Sequence, residues 1–266
     1  MVPSRFATVL DETNPPVSLC KAKPPFAQLQ VRRLLASPVN EDPKDHPKLS
    51  PLTINLDLRY IETFHAISAL RMYLDIMEQQ MPIVQTCELA TLEAERRPGD
   101  DEEEDSLQWN EVNYVERLFE DDLFPTMRYS FVVFLHTVFE TRLRGFCVGV
   151  QRTRNLPISL TDLQGSAVDQ ASSYLTKLIG VPVSSFPEWP HLRRFQSIRD
   201  CIVHQYGYLN PKDQRHESIR QFASSADGIT IAPDDRIHLS RAFCEQHLTN
   251  IADFFNRLIE ATDSKQ

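Results

Sequence analysis

The sequence predicts a mainly α-helical bundle with a small β-hairpin before its C-terminal helix. Most of the chain repeats its large apolar residues every three or four positions, the period of an amphipathic helix. Residues 228–239 alternate instead. Ile229 and Ile231 are followed by Pro233-Asp234-Asp235, which suits a turn, and then by Ile237 and Leu239. With seven glycines in 266 residues and no glycine-rich loop, a Rossmann or P-loop fold has no support.

The elements follow in order. Residues 1–50 hold many of the 18 prolines and little hydrophobic period, so they read as a partly disordered arm. Residues 51–266 are left as one folded domain, long enough for a substantial core. Ile61, Phe64, Ile67, Leu70, Leu74 and Met77 mark the first helix. Pro82 is expected to kink or interrupt it, and Pro98-Gly99 to end it. The acidic run at 98–106 is expected to be a solvated loop. A shorter helix is expected from Leu107 to Asp122, broken by Phe124-Pro125.

The next helix, roughly Thr126 to Thr153, is apolar almost all round from Phe131 to Leu135. It continues through Val138, Phe139, Leu143 and Phe146, which is the pattern of a buried centre. A helix from about Leu163 to Ile179 closes at Gly180, a residue suited to a left-handed cap. Pro187-Glu188-Trp189-Pro190 opens another helix. After the hairpin, a last helix runs from Ser240 to about Ala261 on a stripe of Phe243, Leu248, Ile251, Phe255 and Leu258.

Charge is unevenly spread. Residues 88–122 carry 14 Asp and Glu against three Arg, so the rest of the chain sums to +2 within an overall −9. Arg128, Arg142, Arg144, Arg152 and Arg154 face only Glu140 over residues 128–154, either as a local basic surface or as solvated helix positions. Cys20, Cys87, Cys147, Cys201 and Cys244 are scattered without a Cys-x-x-Cys, which points to free thiols in a reducing compartment. No apolar run reaches signal-peptide or membrane-spanning length, so a cytoplasmic chain without membrane attachment is expected. His191, His216, His238 and His247 lack metal-ligand spacing, and His136 reads as a satisfied core residue. Neither a metal nor a cofactor is expected.

Chemistry concentrates in residues 199–206, Arg-Asp-Cys-Ile-Val-His-Gln-Tyr, followed by Gly207. Arg199 offers a fixed cationic fork to a phosphate, and His204 can move a proton near neutral pH. On an ideal helix Phe195, Ile198 and Ile202 share the core face. Asp200 and His204, four apart, lie on one exposed side, where Asp200 could accept a hydrogen bond from His204. Arg199 lies about 140° from His204 around the axis, so one helix does not easily aim both at one phosphate. A two-fold dimer would build a composite cleft. A surface salt bridge plus a histidine near the helix C-terminal dipole is the plainer alternative.

The segment resembles the signature of the HEPN superfamily: Arg, a polar residue, three more residues, then His. The polar residue there is usually Asn, and here it is Asp200. Tyr206, two residues after the histidine, fits as well. Similar features outside the motif are Pro125, Arg128, Ser130 and Glu140 on the upstream helix, Tyr174-Leu175 before Gly180, the Trp189 entry, and the hairpin with its C-terminal helix. The resemblance spans roughly residues 55–262.

It implies a metal-independent endoribonuclease of a toxin–antitoxin or defence type, acting on RNA as a homodimer. His204 would be the general acid/base and Arg199 the phosphate stabiliser, with Asp200 orienting His204. Glu140 would contribute from the upstream helix, or else form a structural salt bridge to Arg199. Tyr206 would be a modification site, accepting AMP where an antitoxin of the nucleotidyltransferase type is the partner, or else a core aromatic. A non-catalytic HEPN scaffold binding nucleotide, RNA or a protein partner is the alternative.

Overall fold

The computed structural model describes residues 58–95 and 102–265. In chain order these form α1 (Leu58–Glu95), α2 (Glu102–Arg117), α3 (Phe124–Thr153), α4 (Ala167–Tyr174), α5 (Trp189–Gln205), α6 (Gln214–Ala223), β1 (Ile229–Ile231), β2 (Ile237–Leu239) and α7 (Arg241–Asp263). The described chain is therefore mainly helical with one small antiparallel hairpin, in the register Ile229–Leu239, Thr230–His238 and Ile231–Ile237.

Helix α3 is the centre because apolar residues run round most of its circumference. Its Phe131, Val132, Leu135, Phe139 and Leu143 are buried, and it packs against α1, α4, α5 and α7. Phe139 meets Phe254 and Phe255 of α7 edge-on, with ring centroids 5.7 and 6.0 Å apart. Fully burying one such side chain is worth about 1.5–3 kcal/mol. α5 adds Leu192, Phe195, Ile198 and Ile202 to the same core. Gly180 takes the left-handed conformation, φ 77° and ψ 21°, as expected of a helix-ending glycine.

Several expectations are corrected. Pro82 does not interrupt α1, which continues to Glu95. The residues after Pro82 are largely exposed, so water can serve the Glu78 carbonyl that the missing proline N–H leaves free. Residues 102–106 are the first turns of α2, not a loop; acidic residues are favourable at a helix N-terminus. Pro98-Gly99 and the arm at 1–50 lie outside the described residues.

Phe124-Pro125 does not break the chain's helical course either. The backbone widens into one π-type turn over Leu118–Leu123 and runs directly into α3. Pro125 cannot donate to the Asp121 carbonyl four residues earlier, and Arg236 Nη1 donates to that oxygen instead at 2.9 Å. Helix α6 is an element the apolar period did not reveal. Asp213 caps it, accepting from the Arg215 N–H at 2.9 Å, and Ile219 is its buried anchor.

Of the two readings of the arginines at 128–154, the local basic surface is the one that shrinks. Arg128 donates to both carboxylate oxygens of Glu78, at 2.7 and 2.9 Å, and to the Leu239 carbonyl. Arg142 pairs with Glu62, and Arg154 donates to the Thr262 carbonyl. Arg144 and Arg152 remain exposed. No described helix is long and apolar enough to cross a membrane.

Candidate functional site

The motif lies in the last two turns of α5. Cys201 and Ile202 anchor it in the core, and the helix stops at Tyr206 and Gly207, both at positive φ (54° and 80°). The Tyr206 N–H donates to the Ile202 carbonyl at 3.0 Å, and the Gly207 N–H to the Cys201 carbonyl at 3.3 Å. A Cβ at position 207 would collide with the Tyr129 hydroxyl, so glycine is required by space as well as by backbone. The left-handed tyrosine costs about 1–2 kcal/mol. Its contacts offset that: the Tyr206 hydroxyl is 2.8 Å from Thr126 Oγ1, and its ring lies under the Arg236 guanidinium.

Arg199 faces α3. Its Nη1 donates to Asp200 Oδ1 at 2.8 Å, and its Nη2 lies 4.0 Å from Glu140 Oε2. Its Nε is buried without a hydrogen-bond partner. Burial pushes the Glu140 carboxyl above the usual range, and the Arg199 charge works against that rise. The other Glu140 oxygen is 3.7 Å from His136 Nδ1. His136 is held down at about 4, by burial first and the Arg199 charge second, so at neutral pH it is an uncharged ring. It sits among Phe139 and Phe195, and neither ring nitrogen has a hydrogen-bond partner, so it is a core residue but not a satisfied one.

His204 faces the other way. It is exposed, and it shares a groove of about 190 Å³ with Asp200, Arg215 and His216 at the start of α6. Asp200 does not orient it; the carboxylate is held by Arg199, whose guanidinium is the adjacent and stronger donor. His216 accepts the Asn210 N–H at 2.6 Å through Nδ1, and Arg215 is tied to Asp213. Both groove residues were missed in the sequence because α6 was missed; Asp213 followed by Ile219 and Phe222 was the available signal.

Tyr206 is not a core aromatic. It is 49% exposed, because the left-handed turn carries its ring out of the helix's apolar face. It belongs to a shallow apolar cavity of about 410 Å³ along the α3–α5 seam, with Ser130, Phe134, Ile202 and Val203. Phe134 and Val203 are 54% and 48% exposed there.

The predicted residues thus divide in two. Arg199, Glu140 and Asp200 meet at the α3–α5 seam, while His204 lies at the α5–α6 groove, which Asp200 also lines. Cys147, Cys201 and Cys244 are free and buried, with thiols pushed up to about 12, 11 and 12, and Cys87 is free and exposed. Among the described residues no group of three or more His, Cys, Asp or Glu is placed to hold a metal ion. No family model, no curated protein and no solved structure matches the chain. What the fold defines is a class: a mainly helical chain with a two-strand hairpin and an Arg/Asp/His-bearing helix end.

Proposed function

We propose that this chain is a HEPN-type endoribonuclease that works as a homodimer, in a toxin–antitoxin or defence setting. One observation carries the reading. His204 is exposed, without a hydrogen-bond partner among the described residues, on the same helix end as Arg199 but over a different seam. In this reading a second protomer brings a proton-transfer group and a phosphate-binding group so arranged to one phosphate. The exposed Phe134 and Val203 of the α3–α5 seam supply apolar surface for that contact.

In this mechanism His204 takes the proton of a ribose 2′-hydroxyl, and the 2′-oxygen attacks the adjacent phosphorus. The bond to the 5′-oxygen breaks, leaving a 2′,3′-cyclic phosphate; the leaving oxygen takes a proton from water to become a 5′-hydroxyl, and His204 gives the proton it accepted back to the solvent. Arg199 stabilises the charge that grows on the phosphorane. Glu140 and Asp200 act as positioning residues that hold the guanidinium. Tyr206, half exposed, is the acceptor a nucleotidyltransferase-type antitoxin would modify, adding an anion at the helix end.

A second reading, a non-catalytic scaffold of the same type, is favoured by the two carboxylates already beside Arg199. The test is RNA cleavage by wild type and His204→Ala, with chelator present and the products' ends identified. Cleavage to 2′,3′-cyclic ends that is lost in the variant supports the enzyme. A folded dimer without cleavage, or equal cleavage by both proteins, overturns it.

A further inference from the structure

Helix α1 has two apolar faces, and the bundle covers one of them. Ile67, Leu70 and Leu74 are buried, and Met81, Leu89 and Leu92 continue the same side half-buried. That side serves the contacts of α1 with α2, α3 and α7. Tyr73, Ile76, Ile83, Val84, Cys87 and Thr91 form a second line. At about 100° per residue each set spans about 100°, and the two are centred about 140° apart around the axis.

The second line faces outward. Tyr73, Ile76, Ile83 and Val84 are each between 39% and 50% exposed, and Cys87 and Thr91 are exposed too. Thr91 donates its hydroxyl to the Cys87 carbonyl at 2.9 Å, so its polar group is spent within the helix. Gln80 is the one amide in the line. At the near end the Tyr73 ring stacks on Phe131 of α3, with centroids 6.3 Å apart. From there the line runs about 27 Å to Thr91. Contiguous apolar surface of this kind marks a contact face, unlike apolar residues scattered singly.

Charge selects what covers it. Between Arg71 and Arg96 the sequence has no Lys or Arg. Asp75 and Glu78 are paired, with Arg241 and Arg128. Glu88 and Glu93, which flank the far end of the line, are exposed and have no cationic partner among the described residues. Residues 88–122 as a whole carry 14 acidic side chains against three arginines. A second copy of this stretch brings no cation to answer that field, and a polyanion or an anionic lipid surface is repelled by it.

We propose that the outer face of α1 docks an amphipathic helix of another polypeptide, apolar on one side and basic along its borders. Ile76, Ile83 and Val84 take its apolar anchors, and its lysines or arginines answer Glu88 and Glu93. The inference does not depend on the ribonuclease reading, since it uses none of Arg199, His204 or Glu140.

The test is calorimetric titration of the full chain with synthetic peptides of about 18 residues, long enough to follow the face. One is built of Leu and Lys with the leucines at helical spacing, one has the same composition in scrambled order, and one has Glu in place of Lys. The first should bind, and the other two at least tenfold more weakly. Ile83→Ser with Val84→Ser, both at exposed positions, should weaken the first peptide about tenfold. The melting temperature of that variant should stay within about 3 °C of wild type. Glu88→Gln with Glu93→Gln should weaken binding several-fold at low salt and little at high salt. Equal binding of the scrambled peptide, binding unchanged in the serine variant, or no binding at millimolar concentration overturns the proposal. So does a dimer of the full chain that the serine variant dissociates, which would assign the face to a second copy.

Discussion

The two seams of α5 differ in how far they are committed. At the α3 side, Arg199 is held by Asp200 and Glu140 above a buried, uncharged His136. At the α6 side, His204 stands at an open groove without a hydrogen-bond partner among the described residues. One helix end therefore carries a salt-bridged guanidinium and an exposed imidazole, turned toward different neighbours. A cation compensated by its own fold must give up a carboxylate to take a ligand's charge, whereas a side chain left free is available to a partner molecule.

The sharpest way to break this comparison is subunit complementation. Mixed Arg199→Ala and His204→Ala proteins, each inactive alone, should regain cleavage of about a quarter of wild type if sites are shared across a two-fold dimer. Half of the dimers are then mixed, and each mixed dimer keeps one of its two sites. Absence of any recovery would return both residues to one protomer.

Acid should act next most strongly. His136 and His247 both titrate in the fold near 4, below the ordinary 6.5. Their stabilisation is therefore complete above 6.5 and is lost as pH falls through about 4. The loss is on the order of 3 kcal/mol per ring once charged. Glu140, held above its ordinary range, acts in the opposite sense: its contribution is present in acid and lost as pH rises through its folded value. Melting followed by circular dichroism from pH 7 to 4 should show a net loss. The loss should be smaller in His136→Phe, which isolates the share of the α3–α5 seam.

Gly207→Ala should come third, costing about 2–3 kcal/mol by driving a methyl against Tyr129, as read by chemical denaturation. Cleavage per folded molecule should fall too if the end of α5 sets where His204 stands. Glu140→Gln should be smallest in stability, within about 1 kcal/mol. It should still alter the dependence of RNA binding on salt, because it releases charge on Arg199. An unchanged salt slope would show that the carboxylate has no hold on the arginine.

Much of the architecture was legible from spacing. The apolar girth of α3, the left-handed stop at Gly180, the Trp189 entry, the alternating hairpin and the Ser240 start of α7 all depend on local rules that the fold respects. What was not legible depended on distant partners. Pro82 and Pro125 look like breaks in a string of residues. The first is tolerated because its surroundings are open to water, the second because an arginine over 100 positions away fills the carbonyl it leaves bare. α6 is short and polar on most sides, so period alone did not reveal it. At the site, the separation of Arg199 from His204 was readable from helical geometry. The capture of Asp200 by Arg199, and the exposure of Tyr206, were not.

That distant arginine has a consequence for how the molecule opens. Arg236 is buried, holds the Asp121 carbonyl at the π-type turn, and lies over the rings of Tyr129, Tyr206 and Tyr208 at 5.6, 4.8 and 5.8 Å. Its two unpartnered nitrogens, Nε and Nη2, sit in this aromatic enclosure, where N–H groups directed at ring faces are weakly satisfied. Three segments remote in the chain share that one cation. Amide protons of β2, of the α5 terminus and of the turn before α3 should therefore exchange with solvent as one cooperative unit, at a common opening free energy.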